Sequence, residues 1–305
     1  MLLEEVSVLT GTSVPRLQDF ANVAGKMYKV YPIRKRSGGE RIIEQPTKSI
    51  KALQRIISNV LFSNFELHPS CLGYRSGTGI ADVARLHEAY RFTLRVDFKD
   101  FFWAFTEQAI NEFLERAKVG LTPDDIAFVG KLTTRNGRLT MGAPSSPIIT
   151  NVLLFDLDRR FADLATELGC VYTRYADDLL FSSKLPSILE GLLERLISIV
   201  AQWETPRLTI NHDKTTFLSR KYRRLVVGLT ITPEGKTSVG RGRKRRVRAL
   251  IHRAVLGTLE QTEIGSLRGE LAWVNSVEPS FIEALVRKYG HANIAALAPF
   301  IAPQP

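Results

Sequence analysis

The sequence predicts an α+β fold on three observations. Alternating apolar and polar residues flank tight turns at Ser37-Gly38-Gly39 and at Ala176-Asp177, as in β-hairpins. Apolar residues at helical spacing fill the segments between them. The chain has 305 residues, of which 44% are hydrophobic and 24% charged, enough to build an enzyme-sized core and to exclude general disorder. Lys and Arg number 42 against 31 Asp and Glu, a net charge of +11 that favours a polyanionic partner such as nucleic acid or an acidic membrane surface. The two cysteines, Cys71 and Cys170, form no CxxC pair, so neither a disulfide framework nor a structural zinc site is indicated, and a reducing setting fits. The five histidines stand singly. The acidic amino terminus lacks the pattern of an export signal, and no stretch of about 18 uncharged apolar residues occurs. The expectation is a cytoplasmic protein with no membrane partner.

In chain order, residues 2 to 27 read as one or two short helices, with Thr12 or Ser13 ahead of Pro15 as the start signal of the second. Tyr28 to Pro46 reads as a hairpin whose tip carries Arg34, Lys35, Arg36 and Arg41, either a phosphate-facing device or a solvated turn. From Lys48 to Phe65, Ile50, Leu53, Ile56, Ile57, Val60 and Leu61 form one apolar helical face. The Gly-rich GYRSGTGI lacks the context of a nucleoside triphosphatase loop. FTLRVD alternates up to Asp97 and predicts a strand ending in a carboxylate, followed by a helix from about Thr106 to Lys118. Ser145 or Ser146, Pro147 and the stripe Ile149, Val152, Leu153, Leu157, Phe161 and Leu164 predict one long helix. CVYTRY and LLFSS flank Ala176-Asp177-Asp178 as a tight hairpin, and Ile188 to Glu204 forms another helix. LTINHDKTTFLS and RRLVVGLTIT give further strands. The final feature is a helix with seven cations between Arg241 and Arg253 and no acid among them.

Asp97 at a strand end, with Asp177 and Asp178 in a hairpin turn, predicts the chemistry. Carboxylates that converge repel one another unless a cation binds them. Two divalent ions roughly 3.5 to 4 Å apart can activate an attacking hydroxyl and stabilise a departing phosphate oxygen. Hard oxygen donors favour Mg²⁺ over zinc. The competing reading is that Asp177 and Asp178 merely suit a turn.

The ordered series IRKRSGGERIIEQP, VDFKDFF, MGAPSSP, YADD, LTINHDKT and VVGL resembles the successive motifs of reverse transcriptases, over about two thirds of the chain from Tyr28 to Ile231. The resemblance implies a right-hand polymerase: an N-terminal helical segment at 1–27, fingers at 28–90 and 118–138, palm at 91–117 and 139–228, and a helical thumb at 229–305. It implies that Asp97, Asp177 and Asp178 bind two Mg²⁺ ions, with the backbone of Phe98 as an extra ligand. Phe102 would pack against the sugar of the incoming nucleotide and exclude a 2′-hydroxyl, so deoxynucleotides would be preferred. Gly142 would let the backbone approach the nucleotide, and Met141 stands where the family commonly has Gln, which removes that side chain's polar contact. Lys35 and Arg41 would grip the triphosphate. Lys214 matches a lysine proposed to protonate departing pyrophosphate.

The short length is similar to that of the bacterial retron enzymes, with about 75 residues after VVGL and no room for an integrase, RNase H or maturase extension. The retron pattern NAxxH is present as VARLH, with Ala84 and His87 kept and Val83 in place of Asn, and VTG is present as Val226-Val227-Gly228. Such an enzyme would copy part of a structured noncoding RNA into RNA-linked single-stranded DNA. It would prime from an RNA 2′-hydroxyl, hold an RNA–DNA hybrid, and serve an antiphage module with an effector protein. Arg241, Arg243, Lys244, Arg245, Arg246, Arg248 and Arg253 would lie against RNA phosphates. The alternatives are a group II intron-like, diversity-generating or abortive-infection reverse transcriptase, or an RNA-binding scaffold that restrains an effector.

Overall fold

The computed structural model describes residues 1–34, 38–219, 221 and 224–301. The predicted hairpin is formed by β1 (Tyr28–Arg34) and β2 (Glu40–Pro46), which pair antiparallel from Tyr28 with Pro46 to Arg34 with Glu40. A four-stranded sheet has the order β4-β5-β3-β6, built from β3 (Phe92–Asp97), β4 (Val171–Tyr175), β5 (Asp178–Ser183) and β6 (Thr216–Ser219). A second small sheet holds β7 (Arg224–Val226), β8 (Leu229–Ile231) and β9 (Thr237–Ser238) in sequence order.

The chain divides into two compact units. The first comprises residues 1–76, 95–181 and 187–216; the second comprises 77–94, 182–186 and 217–305. In the first, the Lys48–Val60 helix buries Ile50, Leu53 and Ile57, as its periodicity predicts. Gln54 is buried on that same face, and its amide nitrogen donates to the Tyr28 hydroxyl and the Leu132 carbonyl, both at 3.0 Å. The Glu107–Ala117 helix starts at Thr106, whose hydroxyl accepts from the Ala109 amide. At the next helix, Pro123–Thr133, the buried Asp125 accepts from the Thr122 amide and also from the Leu3 amide at 2.8 Å. The Leu2–Thr10 helix is thereby tied to a residue 122 positions away.

In the second unit, the helices Arg241–Val255, Gln261–Val277, Pro279–Tyr289 and His291–Leu297 bury Val247, Ile251, Leu267, Leu271, Val274, Phe281, Leu285 and Ile294.

Two predicted elements are each split. The single long helix after Ser145 becomes Ser146–Leu153 and Phe155–Glu167, broken at Leu154. Asn151 from one segment and Asp158 from the other bond the same guanidinium, that of Arg174. LTINHDKTTFLS is not one strand: Ile210 makes an isolated bridge to Phe98, His212–Lys214 forms a 3₁₀ turn, and β6 follows. The Asn211 carbonyl accepts from the amides of Lys214 and Thr215 and from the Thr215 hydroxyl, which draws the chain into the turn.

Candidate active site

The end of β3, the β4–β5 turn and the 211–215 turn come together in the first unit. Asp97 is 7% exposed. Its carbonyl accepts from the Asn211 amide at 2.8 Å, and the Lys99 amide donates to Thr209 at 2.8 Å. Those two bonds flank the antiparallel Phe98–Ile210 bridge, so the Phe98 carbonyl is directed away from that strand. The Lys214 ammonium reaches both carboxylate oxygens of Asp97, at 2.8 and 3.2 Å.

Asp177 and Asp178 sit where the hairpin reverses. Ala176 adopts φ +58, a left-handed conformation, and Asp178 is the first residue of β5. Burial, followed by the negative charge of Asp97, raises the Asp177 carboxyl above its ordinary range. Burial and the charge of Asp177 push Asp178 up to about 6, opposed by Arg95. In both cases burial is the larger cause, and the other carboxylates of the trio add to it.

A buried network supports the turn. The Arg174 guanidinium donates to Asp158 at 2.6 and 2.8 Å, to Asn151 at 3.0 Å and to the Ala176 carbonyl at 3.3 Å, while the Tyr172 hydroxyl donates to Asp158 at 2.7 Å. Burial alone would lower the Arg174 pKa; the Asp158 carboxylate overrides it and holds the group charged. Residues 70–73 lie along the same strand: the Arg174 carbonyl accepts from the amides of Leu72 and Gly73, and the Arg174 amide donates to Ser70. A Cβ on Gly73 would stand 2.5 Å from the Ala176 nitrogen, so only glycine permits this approach.

A cleft of about 400 Å³ opens beside the turn, lined by Arg41, Ile42, Tyr74, Phe102, Trp103, Met141, Asp177 and Lys214, together with Glu40, Phe98, Asp100 and Phe101. The predicted residues Arg41, Phe102, Met141, Asp177 and Lys214 are thus brought together, and Lys35 lies outside the described residues. Gly142 packs against β2. At φ +123 its missing Cβ faces the Glu44 carbonyl and the Ile43 side chain, each at 3.1 Å, and the Glu44 amide donates to Met141. The space that glycine leaves is filled by β2 of the same chain, which docks there.

The donor set suits a divalent cation, since hard carboxylate oxygens are crowded enough to perturb one another. Among the described residues, however, no group of three or more His, Cys, Asp and Glu side chains is drawn into a ready-made ligand cage, and the Lys214 ammonium takes the place of a cation at Asp97. Sequence reasoning missed Arg95, Tyr74 and Trp103. Arg95 was legible, because strand alternation puts it two residues from Asp97 on the same face. Tyr74 and Trp103 gave no such signal.

Residues 33–245 match the family described as reverse transcriptase (RNA-dependent DNA polymerase), which is more than half of the chain. The chain belongs to the reverse transcriptases. It is 34% identical over 278 residues to the Retron Ec83 reverse transcriptase of Escherichia coli, covering 88% of this chain and 89% of that protein. It is 30% identical over 297 residues to the Retron Ec86 reverse transcriptase of Escherichia coli, covering 94% and 90%. Retron-type reverse transcriptase is therefore the family reading, and RNA-directed DNA polymerase the activity. Among solved structures, telomerase from Candida albicans in complex with a fragment of telomeric RNA aligns with a TM-score of 0.51 at 14% identity, over 92% of this chain and 58% of that one. Apo telomerase from Candida tropicalis aligns with a TM-score of 0.53 at 12% identity, over 89% and 58%. The chain thus spans less than two thirds of each telomerase, and the likeness concerns the α+β right-hand polymerase fold. Among the described residues, no helix of this reverse transcriptase is long and apolar enough to cross a membrane.

Both retron-associated motifs lie in the second unit, and a residue just ahead of the second bonds the first. The Arg224 guanidinium, two residues before the VVG tripeptide, donates to the His87 carbonyl at 2.9 Å and also to the Tyr90 carbonyl. The His87 ring is fully buried and shares a 2.7 Å hydrogen bond with Ser182. Burial, then Arg224, lowers its pKa to about 3 and keeps the ring neutral. The seven cations of the Arg241–Val255 helix are only partly available. Arg243 and Arg246 face Glu270 at 3.9 and 2.7 Å, Lys244 bonds Glu278, and Arg253 pairs with Glu263 at 2.9 Å. Arg241, Arg245 and Arg248 are exposed, and among the described residues no carboxylate stands within 4 Å of them.

Proposed function

We propose that this retron-type enzyme copies part of a structured noncoding RNA into single-stranded DNA that stays joined to the RNA, with a 2′-hydroxyl of the same RNA as primer. The reading rests on one observation above the others: Asp97, Asp177 and Asp178 crowd together beside a cleft that also presents Arg41, Phe102, Met141 and Lys214.

Asp97, Asp177 and Asp178 would hold two Mg²⁺ ions, with the Phe98 carbonyl completing the set, and bound Mg²⁺ would supply electrophilic stabilisation of phosphate charge and a lowered hydroxyl pKa. The residues of the chain do the rest. Arg41 steadies the triphosphate, joined by Lys35 in the proposed fingers. Phe102 bars a 2′-hydroxyl. Lys214, exposed over more than half of its side chain, pairs with Asp97; released from it, the ammonium is free to give a proton to the departing pyrophosphate. The exposed Arg241, Arg245 and Arg248 supply phosphate contacts in the proposed thumb, and the RNA and its DNA product recruit an effector protein in an antiphage module within the cytoplasm.

Purified protein supplied with a primed RNA, dNTPs and Mg²⁺ is expected to extend the primer, and Asp177→Ala and Asp178→Ala are expected not to. Equal synthesis by wild type and variants would defeat the site assignment. Sequencing the copurified nucleic acid tests the retron product: a 2′,5′ linkage between RNA and DNA is expected, whereas a free cDNA would favour a diversity-generating or abortive-infection enzyme.

A further inference from the structure

Tyr74 is held in a conformation that a bulky side chain rarely takes. Its φ is +59, a left-handed value that costs an L residue on the order of 1–3 kcal/mol and persists only where the surroundings impose it. Those surroundings are the Leu72 and Gly73 amides pinned to the Arg174 carbonyl and the close seat of Gly73 on Ala176. The chain leaves that clamp at Tyr74 and must turn at once. A residue without a Cβ would do this without strain, yet the position holds an aromatic ring that stays 50% exposed. The ring lies 6.5 Å from that of Tyr175 and within 28° of parallel to it, and it lines the cleft with Arg41, Phe102, Met141 and Asp177. An exposed ring in core packing is wasted, whereas a strained, exposed ring beside the reacting carboxylates has the form of a binding surface.

We infer that Tyr74 is a nucleobase platform: its ring stacks on a base carried into the cleft beside Asp177, either the base of the incoming nucleotide or the template base opposite it. The inference rests on the Asp177-centred site proposed above and adds to it the surface that meets the base. Stacking on aromatic rings is sequence-tolerant, because every base has a π-face, which suits an enzyme that copies varied sequence.

The test is steady-state primer extension by the full chain carrying Tyr74→Gly, Tyr74→Asn or Tyr74→Phe, with thermal unfolding measured alongside. Glycine and asparagine tolerate the left-handed backbone, so both variants are expected to be at least as stable as wild type while KM for dNTP rises about tenfold and kcat changes little. Tyr74→Phe keeps the ring and is expected to match wild type in KM. If the incoming base is the one stacked, the rise in KM is larger for purine than for pyrimidine dNTPs and persists opposite an abasic template residue. If the template base is stacked, the rise disappears opposite the abasic residue. An unchanged KM in Tyr74→Gly, or a Phe variant as impaired as the Gly variant, would overturn the platform. Normal extension by Asp177→Ala would instead overturn the site on which the platform rests.

Discussion

The β4–β5 turn of the first unit and the Arg241–Val255 helix of the second both concentrate like charge, and they handle it in opposite ways. At the turn, Asp177 and Asp178 are raised in pKa because burial and neighbouring carboxylates oppose their charge, and Lys214, Arg41 and Arg95 offset them only in part. On the helix, four of the seven cations already face glutamates of the following helices. Charge left opposed within a cleft marks a place that expects a ligand. Charge met by carboxylates of the same chain belongs first to packing. The dense basic run is therefore weaker evidence for a nucleic-acid contact than its sequence alone indicates, and the sparse acidic turn is stronger evidence for chemistry.

The largest effect should come from the opposed charges. Asp97→Asn, Asp177→Asn or Asp178→Asn is expected to lower primer extension on the order of 10²–10³-fold or more, with thermal unfolding near or above that of wild type because repulsion is relieved. A variant that loses activity only in proportion to lost stability would erase the contrast drawn here.

Next comes the support beneath the turn. Asp158→Ala leaves the fully buried Arg174 guanidinium without its carboxylate and is expected to cost about 3–5 kcal/mol in urea-induced unfolding. Replacing both partners with apolar residues, Asp158→Leu with Arg174→Met, should recover much of that stability but not the activity, since the bond to the Ala176 carbonyl is lost with the guanidinium. Full activity in the double variant would show that the network holds the core and not the turn.

A third test concerns a base kept neutral in the second unit. The buried His87 has a folded pKa of about 3 against 6.5 for the free side chain, so below pH 6.5 the unfolded chain takes up a proton that the folded chain refuses. Stability present above pH 6.5 is then lost as pH falls toward 3, at about 1.4 kcal/mol per pH unit from this one group, or about 2 kcal/mol by pH 5. His87→Gln is expected to flatten that part of the stability-against-pH curve. An unchanged slope would mean that the ring is not the group resisting protonation.

The smallest effects separate the cations that face no carboxylate from those that do. Arg245→Ala or Arg248→Ala is expected to weaken RNA binding and lower the slope of log K against log salt by about 1 each, whereas Arg246→Ala, paired with Glu270, should change it less. Glu263→Gln frees Arg253 and is expected to strengthen RNA binding modestly. Equal slopes across all these variants would mean that the glutamates do not withhold their cations.

Much of this was written in the chain itself. The period-2 alternation up to Asp97, the turn at Ala176-Asp177 and the helical stripe of Ile50, Leu53 and Ile57 are local patterns, and local patterns follow from backbone geometry that neighbouring residues share. The order of the motifs was enough to indicate both the polymerase fold and the candidate carboxylates. Tertiary structure decided what depends on residues far apart in the chain. Asn151 and Asp158 meet Arg174 from either side of the helix break at Leu154, β2 fills the space that a Cβ on Gly142 would need, and the glutamates at 263, 270 and 278 took up part of a basic helix that carries no acid of its own. The strain at Tyr74 belongs to the same class. It arises where residues 70–73 are clamped along β4, a contact between segments about a hundred positions apart that no local pattern encodes.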